Sequence, residues 1–564
     1  MITPLIKQLK SLLAQGDYEG LKNLDIKKVE KVNWVRDVFE GINLVERPDA
    51  RALVWTDGKQ TLNYSFRDLS IRYNKLLNFL RDKGVQQGDV MMTQLMLQPI
   101  NWTALLATVK GGLRLVPTAS IMGVTDLMYR FEKTLPKVII SDPQNADKID
   151  EAAKRMNIDI AVKIIAEGER EGWYSLSALD NYSAEAEAAD TNADDILFMF
   201  YTSGTTGMPK VVCHSHSSYP LGIMTVTSWI GIQEDDLHYN ISQPGWAKFA
   251  WSSVFAPWNM GAAIFAYHTY DRFNAATTMR LLETHKVNTL CAPPTVYRLL
   301  IQEELKHYNL SLKQCVAAGE PLNPEVIEQW KLGTGVEIRD GYGQSESTAM
   351  VANLPNQPVK YGSMGKPTFM FDIVIADDDG KEVGVDEEGN ICVRTNAEQI
   401  SGLFLQYLYD KERFAKVFRD GLYFTGDKAY KDADGYVWFV GRDDDVIKAS
   451  DYRVGPFEVE SVLIEHESIL ESAVVGSPHP IKGFEIKAFV ILTEGHEPSE
   501  ALADDIFTYC RNHMAPYKMP RIIEFVKELP KTISGKIRRI ELRAQEGMNK
   551  AKKITGEFEY YYKK

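Results

Sequence analysis

The chain has 564 residues, more than one hydrophobic core can organise, so at least two domains are expected. Hydrophobic residues make up 45% and charged residues 25%, as in ordinary globular proteins. The net charge of −13 argues against a nucleic-acid partner, although local loops can still bind small anions. No stretch of about 18 apolar residues is free of charge, so no membrane span is expected. The N-terminus also lacks the apolar segment of a secretory signal.

The cysteines are five, far apart in sequence, and form no Cys-x-x-Cys pair. This usage indicates free thiols in a reducing cytoplasm and argues against a zinc site.

The first two thirds of the chain alternate short apolar runs with helical patterns. Strands are predicted at 138–140, 160–162 and 289–292, and helices at 294–307 and 323–332. The second helix has an asparagine as a suitable N-cap and proline at its first position. The pattern predicts an α/β fold in which helices flank parallel sheets.

The pattern changes after about residue 365. Strands at 372–375, 389–393 and 435–440 are separated by acidic turns, which predicts a small β-rich lobe. A charged segment, 441–445, then precedes alternating strands and helices that have the length of a small domain.

The strongest local motif lies between two predicted strands, at 201–210. Its glycines allow a tight turn with inward N–H groups, its hydroxyl side chains add donors, and Lys210 adds positive charge. This composition suits a polyphosphate. The spacing differs from a Walker A motif, and a plain polar hairpin is the alternative.

Three further motifs are weaker on their own. Residues 340–346 contain Tyr342, which could stack on a base, and Glu346, an oxygen ligand suited to magnesium. Asp427, in 423–427, suits a ribose diol because a carboxylate accepts two hydrogen bonds. Lys536 ends a glycine-containing loop at 530–536. An ordinary turn or solvated side chain is the alternative for each.

The order of these four motifs resembles the acyl-CoA synthetase, adenylation-domain and luciferase superfamily along essentially the whole chain. Residues 245–248 and 452–456 look most similar to the medium-chain acyl-CoA synthetases, followed by the acetyl-CoA synthetases. The resemblance implies a large N-terminal domain at 1–442 with the β-rich lobe at about 365–442. A hinge at 443–446 and a small mobile α+β C-terminal domain at 447–564 would follow.

The resemblance also implies roles for residues at matching positions. A phosphate loop would comprise Thr202, Ser203, Gly204, Thr205, Thr206, Gly207 and Lys210. The adenine would be framed by Gly319, Glu320, Pro321, Asp340, Gly341 and Tyr342. Ser345 would contact the α-phosphate, Glu346 would bind Mg²⁺, and Asp427 and Arg442 would hold the ribose. The nucleotide set is completed by Gln344, Arg453 and Lys536.

The implied reaction has two steps. A carboxylic acid attacks ATP to give acyl-AMP and pyrophosphate, and CoA then takes the acyl group. Lys210, Glu346 and Lys536 would be catalytic in the first step, since positive charge offsets the build-up on the phosphates. A rotation about Asp444 would then withdraw Lys536 and present a CoA tunnel.

The tunnel loop departs from the family pattern. It is expected to include Ser450, Asp451 and Tyr452, and the family has glycine where this chain has Asp451. An aspartate adds bulk and negative charge beside an anionic cofactor, which bears on CoA transfer and not on adenylation.

The acyl pocket is predicted from the same resemblance, with Trp246 as a wall. Its other predicted members are Lys248, Cys291, Val316, Ala317 and Ala318. Lys248 either points to solvent or serves the substrate carboxylate or CoA. The expected substrate is a short- to medium-chain fatty acid, straight or branched.

Several alternatives remain open at this point. An acetyl- or propionyl-CoA synthetase would keep the whole reaction, and a stand-alone adenylating enzyme would load a separate carrier protein. Luciferase-like oxidation and a non-catalytic nucleotide sensor are more distant, because a sensor would be expected to have lost Lys536 or Glu346. An oligomer is compatible with the sequence.

Overall fold

The protein is described by a computed structural model. It covers residues 2–202, 209–442, 445–449, 452–480, 483–532 and 536–563, without the side chains of Lys448, Tyr452 and Arg453. The predicted functional residues Ser203, Gly204, Thr205, Thr206, Gly207, Asp444, Ser450 and Asp451 lie outside the described residues.

The helices and strands alternate along most of the chain. The α-helices are α1 (Thr3–Ala14), α2 (Phe66–Asp82), α3 (Ile100–Gly111), α4 (Val124–Thr134), α5 (Pro143–Met156), α6 (Ser218–Gly222), α7 (Met224–Ile230), α8 (Ala247–Ala250), α9 (Ala256–Met260), α10 (Ala275–Thr284), α11 (Pro294–Leu300), α12 (Pro324–Thr334), α13 (Lys411–Val417), α14 (Pro456–Ile464), α15 (Glu500–His513) and α16 (Arg539–Lys552). Short π-helical segments occur at Val35–Leu44 and Trp251–Phe255.

The strands are named in chain order. They are β1 (Arg51–Thr56), β2 (Thr61–Ser65), β3 (Val90–Gln94), β4 (Arg114–Thr118), β5 (Val138–Ser141), β6 (Val162–Ile165), β7 (Tyr174–Ser175), β8 (Ile196–Thr202), β9 (Lys210–Ser215), β10 (Leu237–Asn240), β11 (Ala263–Tyr267), β12 (Thr289–Ala292), β13 (Gln314–Ala317), β14 (Ile338–Tyr342), β15 (Val351–Ala352), β16 (Lys366–Pro367), β17 (Asp372–Ala376), β18 (Gly389–Arg394), β19 (Gln406–Tyr407), β20 (Phe418–Arg419), β21 (Leu422–Lys431), β22 (Val437–Arg442), β23 (Ile447–Ala449), β24 (Tyr452–Val454), β25 (Ile469–His479), β26 (Gly483–Leu492), β27 (Ile522–Phe525) and β28 (Glu559–Tyr561).

Two large sheets form the N-terminal part. One has the strand order β16-β15-β14-β13-β12-β10-β11-β1-β2, and the other has β19-β9-β8-β4-β3-β5-β6-β7. Their central strands are parallel. Every residue of α3 is buried, as expected for a helix enclosed on all sides.

The β-rich lobe is a five-stranded antiparallel sheet of β17, β18, β20, β21 and β22. The last part of the chain forms a six-stranded sheet of β23 to β28, with α14, α15 and α16 beside it. The α/β architecture predicted from the sequence is therefore confirmed.

Individual elements shift slightly from their predicted bounds. Strand β6 begins two residues after the predicted start, and α11 ends at Leu300. A 3₁₀ turn follows α11 at Leu305–His307, which lets Leu305 pack in the same buried cluster as Leu300. Asn323 precedes α12 but its side chain makes no capping hydrogen bond.

All five cysteines are buried and unpaired. Within the described ranges, no helix combines the length and apolar character that a membrane crossing needs.

Candidate active site

A cavity of about 410 Å³ lies where the nine-stranded sheet, the β-rich lobe and the C-terminal sheet meet. Its lining includes fourteen of the residues predicted to bind nucleotide: Thr202, Lys210, Gly319, Glu320, Pro321, Asp340, Gly341, Tyr342, Gln344, Ser345, Glu346, Asp427, Arg442 and Lys536. Residues more than 300 positions apart in the sequence thus share one space. The described residues of the four predicted motifs therefore lie around one cavity.

One wall of this cavity is built on the β8–β9 hairpin, in which Thr202 is directly opposite Lys210. Lys210 forms an ion pair with Glu346, whose side chain is almost fully buried. Tyr407 completes the group: its hydroxyl donates to Glu346 Oε1 at 2.9 Å and accepts from Lys210 Nζ at 3.2 Å. A buried carboxylate needs such partners, since an unpaired buried charge is costly.

Tyr407 does not itself line the cavity, but it contacts two residues that do, and the sequence motifs missed it. It belongs to β19, which adds to the edge of β9 with Tyr407 opposite Val212. The available signal was a hydroxyl-bearing side chain inside the short apolar run 403–408. That signal does not identify Glu346 as its partner, because the two are 61 positions apart.

A second group of hydrogen-bonded side chains in the cavity is centred on Asp427. Tyr342 Oη donates to Asp427 Oδ2 at 2.5 Å, and Gln344 Nε2 donates to the same oxygen at 2.6 Å. Asp427 also faces Arg442 across the β21–β22 ladder. Burial raises the pKa of Asp427, while Tyr342 and Arg442 oppose that shift. The Tyr342 hydroxyl is thus hydrogen-bonded to Asp427, while the face of its ring could stack on a base.

The segment 319–321 is anchored through Glu320. Its carboxylate accepts hydrogen bonds from Thr295 N and Oγ1 and pairs with Arg298 at 3.2 Å. Burial pushes the pKa of Glu320 upward, but Arg298 and Thr295 outweigh it and hold the pKa below its ordinary value. Glu320 is therefore a fixed negative charge in the cavity wall.

The floor beside it is formed by Asp340 and Gly341 at the end of β14. Burial raises the pKa of Asp340 well above its ordinary value, although Gly341 N donates to it at 2.9 Å. A Cβ on Gly341 would lie 2.5 Å from the ring of the buried Trp229. Glycine is therefore required here by the close approach of that ring.

Lys536 enters the cavity from the C-terminal part of the chain. Its backbone is tied to Thr532 by hydrogen bonds of 2.7 Å and 3.1 Å. The side chain is accessible from the cleft, but the surrounding walls desolvate it and lower the pKa of its ammonium. Glu320, Asp427 and Glu346 act in the opposite direction. All three carboxylates line the same cavity as Lys536.

Among the described residues, none of the six predicted for the acyl pocket lines this cavity: Trp246, Lys248, Cys291, Val316, Ala317 and Ala318. Lys248 is directed inward, with Nζ 3.4 Å from the carbonyl oxygen of Ala318 and close to Cys291. Burial lowers the pKa of Lys248. From the sequence, Lys248 either points to solvent or serves the substrate carboxylate or CoA. The inward position does not match the first of these two alternatives.

The chain belongs to the AMP-binding enzyme family. The model of that family matches residues 43–408, and the model of the AMP-binding enzyme C-terminal domain matches residues 458–536. The chain is thus an AMP-forming acid–thiol ligase of the acyl-CoA synthetase type, which confirms the resemblance seen in its motifs.

Relatives match along nearly the full length. The chain is 46% identical to 4-hydroxybutyrate–CoA ligase 1 of Metallosphaera sedula, over 95% of this chain and 94% of that protein. It is 40% identical to the mitochondrial acyl-coenzyme A synthetase ACSM3 of Mus musculus, over 94% and 93% of the two chains. The solved anthranilate CoA ligase AuaEII with anthranoyl-AMP superposes with a TM-score of 0.85 at 31% identity, covering 94% and 99% of the two chains.

Proposed function

We propose that the protein converts a short- to medium-chain carboxylic acid, ATP and CoA into acyl-CoA, AMP and pyrophosphate through an acyl-adenylate. The observation that carries this proposal is the meeting of Lys210, Glu346, Asp427 and Lys536 in one cavity. They supply two cations, a buried carboxylate suited to a metal, and a carboxylate suited to a ribose.

The roles of these residues follow from their positions. Asp427, held by Tyr342 and Gln344, would accept the ribose hydroxyls. Lys210 would leave Glu346 for the phosphates of ATP. Lys536 would offset the negative charge that grows as pyrophosphate departs, and such electrostatic contacts commonly contribute about 10²–10³ in rate.

We further propose Mg²⁺ as the cation that accompanies ATP, held by Glu346. The residue fits this role, because its carboxylate is buried and already balanced by the ammonium of Lys210. Mg²⁺ would supply positive charge to the phosphate oxygens when bound.

The second half-reaction requires Lys536 to withdraw so that CoA can approach the acyl-adenylate. We propose that the segment 443–446 is the hinge, between a domain at 1–442 and a domain at 447–564. The predicted tunnel residues 450–452 and the predicted nucleotide residue Arg453 lie directly after this hinge.

The acid is proposed from the relatives and from the inward position of Lys248. The named relatives include a 4-hydroxybutyrate–CoA ligase and an ACSM-type acyl-CoA synthetase. We therefore propose straight and branched acids of short to medium length, with a hydroxy acid among them.

The test is a pyrophosphate-release assay on a panel of C2 to C10 acids, including branched acids and 4-hydroxybutyrate, with and without CoA. Acyl-CoA formation with one or more of the acids of about four to eight carbons would support the proposal. Turnover limited to acetate and propionate, or acyl-AMP that CoA cannot discharge, would contradict it. If no acid causes pyrophosphate release, the result would favour a non-catalytic nucleotide sensor.

We also propose a cytoplasmic location, since all five cysteines are unpaired thiols. Cell fractionation with a compartment marker tests this directly. Recovery with an organelle or in the medium would contradict it.

A further inference from the structure

Three side chains meet where the proposed function places the phosphates of ATP: Lys210, Glu346 and Tyr407. Glu346 Oε1 accepts from the Tyr407 hydroxyl at 2.9 Å and pairs with the Lys210 ammonium. Lys210 also lies 4.9 Å from the centre of the Tyr407 ring. One carboxylate oxygen is therefore shared between a mobile cation and a neutral phenol.

The backbone holds Tyr407 against Glu346 from two sides. Phe404 N donates to the carbonyl oxygen of Glu346 at 2.7 Å, and β19 pairs with β9 next to Lys210. Leu405 N and Leu408 N donate to the β9 carbonyls of Cys213 and Val211. The phenol is thus fixed by the fold, whereas Lys210 has a flexible side chain at the start of its strand.

The partners of Glu346 must change when ATP binds. The proposed function assigns Lys210 to the phosphates of ATP. Once Lys210 has left, the buried carboxylate of Glu346 would have two partners, the phenol of Tyr407 and the incoming cation. Residues that hydrogen-bond to a metal ligand fix its orientation, and their loss commonly costs about 10–100-fold in metal affinity. The phenol is neutral, so it leaves the full negative charge of Glu346 for the cation.

We propose that Tyr407 is a positioning residue for the divalent cation of ATP: it holds the Glu346 carboxylate in place while Lys210 is exchanged for the metal. The proposal rests on the metal-binding role proposed for Glu346. A phenol hydroxyl is protonated at neutral pH, so Tyr407 can donate to Glu346 as the structure shows.

Tyr407→Phe tests the proposal through equilibrium binding of ATP, measured by calorimetry without acid substrate. The readout is the ratio of ATP affinity at saturating Mg²⁺ to that in EDTA. We expect this ratio to fall by about tenfold in the variant. Affinity in EDTA should change by less than about threefold, since the ring that packs against Phe404 at 4.6 Å is kept.

A matched control exists elsewhere in the fold. Tyr73 donates to Glu40 at 2.6 Å, Lys110 pairs with Glu40, and Lys110 lies 5.4 Å from the Tyr73 ring. Tyr73→Phe removes a phenol hydroxyl from the same kind of Lys–Glu–Tyr group outside the cavity. Tyr73→Phe should lower Tm by about as much as Tyr407→Phe does. It should leave the ratio of ATP affinity with Mg²⁺ to that in EDTA unchanged.

Glu346→Gln separates this inference from the proposed function. If Glu346→Gln keeps the wild-type Mg²⁺ ratio, the metal role of Glu346 itself is wrong. If the ratio of ATP affinity with Mg²⁺ to that in EDTA falls in Glu346→Gln but stays at the wild-type value in Tyr407→Phe, only the role of Tyr407 is overturned. Tyr407→Gln, which retains a donor, should keep part of the ratio, and a ratio as low as that of Tyr407→Phe would count against the hydrogen bond as the cause.

Discussion

Asn323 Nδ2 donates a hydrogen bond to Ser461 Oγ over 3.2 Å, which joins the start of α12 to α14. Close by, Arg298 approaches Glu471 of β25 at 3.9 Å while it holds Glu320 of the cavity wall. These contacts connect the two parts of the chain in the arrangement that places Lys536 in the cavity. In the proposed cycle, this arrangement would serve the adenylate-forming step.

Glu471→Gln should weaken this arrangement. Glu471 contacts Arg298 of the N-terminal part at 3.9 Å and Lys531 at 2.7 Å, and Lys531 belongs to the loop that ends at Lys536. Loss of a charged hydrogen bond of about 1.5 kcal/mol corresponds to a roughly tenfold slower adenylation. The rate at which supplied acyl-AMP reacts with CoA should stay within about twofold.

Stopped-flow and pyrophosphate-exchange assays measure the two rates separately. Glu382→Gln, which removes an exposed ion pair with Arg394 at 3.7 Å, serves as the control. Equal losses in both half-reactions would show that Glu471 does not act through the adenylation arrangement.

Asp427→Asn should weaken ATP binding. The substitution keeps the size of the side chain but loses the charge that accepts from Tyr342 and Gln344. Hydrogen bonds to charged groups contribute about 1.5–3 kcal/mol, so the KM for ATP in the exchange assay should rise by about 10- to 100-fold. Asp432→Asn, in the turn after β21, should leave this KM unchanged. A wild-type KM in Asp427→Asn would remove Asp427 from the ribose site.

The adenylation rate should fall on the alkaline side at a pH below the ordinary lysine value of 10.5. Desolvation lowers the pKa of Lys536 in the folded protein, so its charged form is present at low pH and is lost as pH rises through that lowered pKa. In Lys536→Arg the alkaline limb should move to higher pH, because arginine stays charged. If the alkaline limb lies at the same pH in the wild type and in Lys536→Arg, it reports the titration of another group.

The C-terminal domain should depend strongly on Lys487. Its fully buried ammonium lies 2.7 Å from Glu524, 2.6 Å from Glu546 and 2.8 Å from Glu559. Lys487→Met leaves these carboxylates short of a cation and should lower the free energy of unfolding by about 3–5 kcal/mol. Urea titration measures this loss, and Lys331→Met, at an exposed pair with Glu337, should cost less than about 1 kcal/mol.

The cost of Lys487→Met should shrink in acid. Burial raises the pKa of Glu559, but Lys487 and its hydrogen-bonding neighbours outweigh this and lower it to about 2 from 4.5. That stabilisation is complete above about pH 4.5 and is lost as pH falls towards 2. The difference between wild type and variant should therefore narrow over that range. A constant difference would mean that packing, and not charge, accounts for the loss.

Local motifs could be read from the sequence because their residues are close together and carry their chemistry in their type, and residues of all four line one cavity. The β8–β9 hairpin and the segment 340–346 are examples. Partners set by distant pairing were not predictable in this way. Tyr407 reaches Glu346 only because β19 adds to β9, and Asn323 bonds to Ser461 instead of capping its own helix.

The tyrosine-rich tail gives a second example. The run Tyr560-Tyr561-Tyr562 matches no motif, and the structure places β28 beside β27 with Tyr560 opposite Ile523. Tyr561 contacts Lys550, and Tyr562 packs against Phe507. A strand of three residues carries too little periodicity to be recognised without the sheet edge that it covers.

The most direct test of the account compares the two half-reactions in Lys536→Ala. ATP–pyrophosphate exchange with a substrate acid reports adenylation, and consumption of supplied acyl-AMP with CoA reports thioester formation. The account predicts that exchange falls by at least about 10²–10³, while thioester formation stays within a few-fold of wild type. Equal loss of both reactions, or exchange at the wild-type rate, would contradict it.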